Sequence, residues 1–196
     1  MHKKITLQYL SVIVLLISIV SLSACKKNYT PKPRGYFRID LPEKEYQNYI
    51  STCPFAFDYP VYAKIQPDTN KMAEPYWINM DFINIGGRLH ISYKGVNNNI
   101  GQLLEDSRKL AYKHSIKADA IHEQVFIKPE RKVYGILYEI DGNAASSVQF
   151  FVTDSTKHYL RGALYFNAEP NKDSLAPIIR FIKEDIIVMI ESFEWK

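Results

Sequence analysis

The sequence predicts an α+β fold: an antiparallel β-sheet with two main amphipathic helices packed on it. Three observations predict it. Runs with a two-residue apolar period fill most of the chain, separated by short connectors rich in Gly, Asn, Asp and Pro. Only two long segments carry a 3.6-residue period, one in the middle and one at the end. Strands therefore come in runs and do not alternate one by one with helices, which argues against a parallel βαβ sheet.

Taken in order, GYFRIDLPEKEYQNYI alternates aromatic and charged residues and predicts a strand leading into the domain. CPFAFDYPVYAKIQPD looks similar, but prolines at 54, 60 and 67 demote it to edge strands and turns. In PYWINMDFINIGGRLHISYKG, Ile78, Met80 and Phe82 alternate with Trp77, Asn79 and Asp81; after Gly86-Gly87, Leu89, Ile91 and Tyr93 alternate with His90 and Ser92. That pattern is a hairpin with one face buried. Asn97-Asn98-Asn99 offer an N-cap, and Ile100, Leu103, Leu104, Ser107, Leu110, Ala111 and His114 then share a helical face. Four strand runs follow, at 121–127, 132–140, 147–153 and 158–166, with Asp141-Gly142-Asn143 and Asp154 to Lys157 as reversals. The last helix starts from a cap at Asp173 or Ser174. Leu175, Ile178, Ile179, Ile182, Ile186, Met189 and Ile190 line one side of it, with Arg180, Lys183, Glu184 and Asp185 directed elsewhere, and Phe193 and Trp195 pin its end.

The N-terminus carries a different message. Met1-His2-Lys3-Lys4 is a basic start, Ile5 to Val20 is apolar, and Leu22-Ser23-Ala24-Cys25 fits the bacterial lipobox at every position. Residues 1–24 read as a lipoprotein signal peptide, Cys25 as the lipidated first mature residue, 25–35 as a polar, proline-bearing tether, and 36–196 as a single domain. More than one acyl chain gives stable anchoring, because each buried methylene contributes about 0.8 kcal/mol. An uncleaved membrane span is the alternative, disfavoured because Thr6, Gln8, Ser11, Ser18, Ser21 and Ser23 interrupt the apolar run.

Cleavage leaves 172 of the 196 residues, enough for one core, and lowers the formal charge from +4 to +2. A balance so close to neutral points to neither nucleic acid nor an acidic polymer as partner. With Cys25 acylated, Cys53 has no intramolecular partner, so no disulfide framework is expected and Cys53 reads as a small buried residue in CPFAF.

The sequence holds no G-x-S-x-G, P-loop, H-E-x-x-H or zinc-spaced Cys/His set, so no enzyme, cofactor or metal is expected. Weaker candidates are four histidines, His90, His114, His122 and His158, as metal ligands, and Ser146 or Ser147 with His158 and Asp141 or Asp154 as a nucleophilic triad. Separated histidines usually serve as hydrogen-bonded surface or core groups, and Ala-Ala-Ser-Ser reads more simply as a tight strand start. Tyr76 and Trp77 offer a sugar or peptide platform, against the plainer reading that strand aromatics stack in a core. Tyr29, Arg34, Tyr36 and Arg38 form a docking patch just above the membrane, of the residue types favoured at interfaces.

Together, the lipobox cysteine and the stretches KNYTPKPRGYFRIDLPEKEY, PYWINMDF, HISYK, LLEDSRKLAYKH, GNAASSVQFFVTDSTKHYLRGALYF and SLAPIIRFIKEDI resemble the gliding-motility lipoprotein GldD family of Bacteroidetes over nearly all of the mature chain. The resemblance implies an envelope lipoprotein that supports gliding and the associated type IX secretion machinery through contacts with other proteins. It brings no catalytic residues, and only the acylated cysteine carries over, at Cys25. Lys26 in place of a retention aspartate points to the outer membrane, and Lys26-Lys27-Asn28 in place of an acidic run points to the periplasmic side. The second reading is a periplasmic lipoprotein that binds a peptide, glycan or lipid in an aromatic-lined cleft between sheet and helix.

Overall fold

The computed structural model describes residues 40–168 and 171–196. Ten strands and two long helices follow in the order β1 (Tyr46–Tyr49), β2 (Phe55–Pro60), β3 (Lys64–Pro67), β4 (Ile78–Phe82), β5 (Gly87–Gly95), α1 (Ile100–Tyr112), β6 (Ala118–Lys128), β7 (Val133–Gly142), β8 (Val148–Thr153), β9 (His158–Phe166), α2 (Lys172–Glu191) and β10 (Glu194–Trp195). The architecture is α+β, as expected, with every strand pair antiparallel.

Seven strands form the main sheet in the order β3-β4-β5-β9-β8-β7-β6. The hairpin read from PYWINMDFINIGGRLHISYKG is present, with Ile78 opposite Ile91 and Met80 opposite Leu89. Its reversal is a 3-10 turn over Ile83–Ile85, closed by Gly86 at φ 69°, a left-handed conformation that glycine adopts without a Cβ clash. The chain then crosses through α1 to the far edge and returns as the meander β6 to β9, whose last strand zips against β5 over nine residue pairs. At Gly162 an added Cβ would lie 2.1 Å from Cε1 of Phe150, so that strand position has room for hydrogen only.

Alternation along the strands gives the sheet two covered faces. Leu89, Ile91, Leu160, Leu164, Val148, Phe150, Val152 and Leu137 point to one face, where they meet Ile182, Ile186, Met189 and Ile190 of α2 and Phe55, Phe57 and Phe193. Tyr138, Ile140, Phe151 and Tyr159 point to the other and are covered by Ala111, Leu103 and Leu104 of α1. The two helices thus occupy opposite sides. Among the described residues no helix is long and apolar enough to cross a membrane.

Several expectations need correction. No strand covers 40–45; β1 starts at Tyr46, and residues 36–39 lie outside the described residues. Phe55–Pro60 is not an edge strand. It is the middle of a small sheet, β1-β2-β10, because Pro54 and Pro60 flank the apolar run without interrupting it, and β10 arrives from the distant C-terminus. Leu110 is 42% exposed, since it lies at the margin of the α1 stripe centred on Ser107 and Ala111. Asn99 occupies the α1 N-cap, but its side-chain oxygen accepts from the N–H of Asn97 and caps nothing. The α2 cap is Asn171, whose oxygen accepts from the N–H of Ser174; Asp173 falls in the first turn, where a negative charge suits the helix dipole. Asp185, assigned to the outer side of α2, is 1% exposed.

Candidate functional site

The residue whose position most needs a physical account is Asp185. One side of α2 packs on the main sheet and its flank packs on β2, so a residue about 60° from the apolar axis at Ile182 is buried as well. A carboxylate there requires partners. Lys44, just before β1, supplies an ammonium 2.6 Å from Oδ1, and that ammonium also donates to the carbonyl of Phe181 at 2.6 Å and sits 3.7 Å from its ring centroid. The hydroxyl of Tyr46 donates to Oδ1 at 3.0 Å and that of Tyr62 to Oδ2 at 2.6 Å. Burial, and then the hydrogen bonds to Asp185, push both phenols well above the ordinary tyrosine range, so both keep their protons. Lys44, Tyr46 and Tyr62 come from the first elements described and Asp185 from the last helix. The site is therefore a clamp that ties the chain's point of arrival at the domain to α2.

The sequence-derived catalytic candidates are not assembled. Ser147 precedes β8, while Asp154 and His158 lie past its other end, a separation of about 20 Å at roughly 3.3 Å per residue. Ser146 donates its hydroxyl to the carbonyl of Val148. His158 shares a 2.8 Å hydrogen bond with the hydroxyl of Tyr93 and stacks on Trp195 at 5.1 Å. The carboxylate of Asp154 accepts from the backbone N–H groups of Thr156, Lys157 and His158, which makes it the organiser of the β8–β9 turn. Asp141 instead faces His122 at 3.2 Å. His90 lies edge-on to Tyr165, and His114 sits on the 3-10 turn after α1. Among the described residues no three metal-binding side chains converge.

Trp77 and Tyr76 make no flat platform, because the indole N–H of Trp77 donates to the carbonyl of Tyr93 and Tyr76 stands edge-on to the Tyr93 ring. Cys53 is buried and unpaired, with its sulfur 3.6 Å from the Tyr49 hydroxyl, in keeping with a packing role. A cleft of about 410 Å³ opens at the ends of the strands, lined by Glu130, Arg131, Lys132, Asp154, His158 and Trp195 among others. It lies away from the sheet–helix interfaces and its walls are chiefly charged. Cys25, Tyr29, Arg34, Tyr36 and Arg38 lie outside the described residues.

Sequence reasoning missed the clamp. The signal for it was the place of Asp185 beside Ile182 and Ile186 on the helical wheel, but its partners stand 123 to 141 positions away and nothing local names them.

Comparison with known proteins adds the family. The solution structure of cyanobacterial PsbP (CyanoP) from Synechocystis sp. PCC 6803 is similar at a TM-score of 0.49 and 12% identity, over 82% of this chain and 98% of that one. No curated protein matches the chain. The family model for the gliding motility lipoprotein GldD matches residues 26–195, nearly the whole length beyond Cys25. The chain belongs to the gliding motility lipoprotein GldD family.

Proposed function

We propose that this chain is exported, cleaved after residue 24, acylated at Cys25, and held by its lipid with the domain in the periplasm, at the outer membrane. There it acts without catalysis, supporting gliding and the associated type IX secretion machinery by contact with other proteins. The observation that carries this reading is the family match, which begins one residue after the lipobox cysteine and runs through a lipoprotein family named for gliding motility. The clamp fits it: a domain held by its N-terminal tether feels any load first at the segment that enters it, where Lys44 is tied to the buried Asp185. Confinement to a thin layer raises the effective concentration near membrane partners, so a modest interface suffices. Tyr29, Arg34, Tyr36 and Arg38 are the proposed docking residues.

The test is crosslinking and affinity capture from fractionated membranes, with Cys25→Ala and the double variant Arg34→Ala/Tyr36→Ala beside wild type. Co-purification of secretion or motility components that the double variant loses supports the reading. Capture of no protein, with a small molecule carried through purification of the domain, replaces it with the ligand-binding alternative.

A further inference from the structure

We propose that the cleft at the ends of the strands binds a glycan, a chain of neutral sugar rings. Two turns wall it, Pro129–Arg131 with Lys132 between β6 and β7, and Asp154 to Lys157 between β8 and β9; Glu194 and Trp195 of β10 complete it. Its volume of about 410 Å³ falls within the range of small-molecule sites. Trp195 and His158 supply an aromatic surface, their rings stacked at 5.1 Å and 16°. Both are held in place. The indole N–H of Trp195 donates to the carbonyl of Lys132 at 3.1 Å, its ring meets Phe193 edge-on, and the imidazole of His158 shares its hydrogen bond with Tyr93. A surface fixed before binding loses little side-chain freedom when a ligand settles on it.

The rim decides the ligand class. Arg131, Lys132 and Lys157 stand with Glu130, Asp154 and Glu194 around the cleft, so formal charges cancel and neither an anion nor a cation is favoured. The side chains of Lys132, Lys157 and Glu130 make no hydrogen bond or ion pair among the described residues, which leaves both donors and acceptors over. Sugar hydroxyls donate and accept, and the C–H faces of a pyranose ring suit the negative faces of aromatic rings. A peptide would be recognised along a strand edge or in an apolar groove, and the strand at this cleft is two residues long. A second cleft of about 410 Å³ adjoins the first across Arg131 and Glu194, with Asn48 and Asp58 in its lining. Arg131 and Glu194 lie 3.6 Å apart and well exposed, a weak pair over which a linear polymer can be laid. The site is separate from the docking residues at 29–38 and does not rest on them.

The experiment titrates the full chain, purified in a detergent without a sugar headgroup, with cellotetraose, chitotetraose and mannotetraose, and with tetra-alanine as the peptide control, by isothermal calorimetry. At least one sugar binds saturably and the peptide does not. Lys132 takes φ 53°, a left-handed conformation that glycine adopts at lower cost. Lys132→Gly therefore unfolds at or above the wild-type midpoint, keeps the carbonyl that holds Trp195, and yet binds the sugar about tenfold or more weakly, the loss of a charge-assisted hydrogen bond. Trp195→Leu abolishes binding. Silence towards all three sugars overturns the proposal, as does sugar binding that Lys132→Gly leaves at full strength. Saturable binding of tetra-alanine overturns it too and reassigns the cleft to peptides. Should Trp195→Leu fail to fold, the wild-type series and Lys132→Gly decide alone.

Discussion

At the scale of single residues, Asp185 makes the sharpest claim on the sequence. Removing one partner of a buried, hydrogen-bonded ion pair strands the other, at about 3 to 5 kcal/mol. Lys44 keeps a quarter of its side chain in water, so Asp185→Ala should lower unfolding free energy by about 3 kcal/mol in urea titration, the low end of that range. The double variant Lys44→Met/Asp185→Leu should recover much of the loss, because an apolar pair of similar volume needs no counter-charge. The phenols give an independent readout. Tyr46 and Tyr62 have folded pKa values raised above the unfolded 10.0, so the folded state holds their protons more tightly. Their contribution is whole below pH 10 and drains away as pH climbs towards the folded values. In Asp185→Ala, ultraviolet titration should bring both phenols back towards the ordinary range. Gly162 tests the packing: Ala there drives a methyl into the Phe150 ring and should cost about 1 to 3 kcal/mol.

At the scale of elements, what could be read from the sequence was what the chain writes locally. The β4–β5 hairpin was legible because period-two alternation on both sides of Gly86-Gly87 fixes register and buried face together. The β6 to β9 meander was legible for the same reason, and β9 was read residue for residue at 158–166. Invisible were the pairings made at long range: β5 with β9, and the two-residue β10 with β2, which turned a supposed edge strand into a central one. Caps were only half legible, since three asparagines precede α1 and Asn, Asp and Ser cluster at the start of α2, and the backbone chooses among them. The α1 face illustrates the limit of a helical wheel. Leu110→Gln should change stability by less than about 0.5 kcal/mol, because the leucine sits at the margin in water, whereas Ala111→Leu, one residue on and fully buried against the sheet, should cost about 1 to 3 kcal/mol. Urea midpoints of the two variants compare them directly.

At the scale of the whole molecule, the sequence carried the functional reading further than the folded domain does, because the lipobox cysteine and the proposed docking residues lie at positions 25 to 38, ahead of the described residues, which begin at 40. The domain contributes a scaffold whose two covered faces are filled and whose triad candidates Ser147 and His158 stand at opposite ends of β8. If anchoring belongs to the lipid and folding to the domain, the two separate under one substitution. Cys25→Ala removes the acyl acceptor and leaves every described contact in place, so it should reduce the membrane-bound fraction sharply in detergent-free fractionation. The same protein should unfold at the wild-type midpoint, within the spread expected for a change that touches no core residue. An uncleaved span would behave otherwise, since an apolar run of about 20 residues holds a protein in the bilayer whatever stands at its end. A Cys25→Ala protein that stays with the membrane at its precursor mass therefore assigns anchoring to Ile5–Val20. One released from the membrane assigns it to the acyl chains, and with them the membrane-proximal position from which Arg34 and Tyr36 are proposed to act.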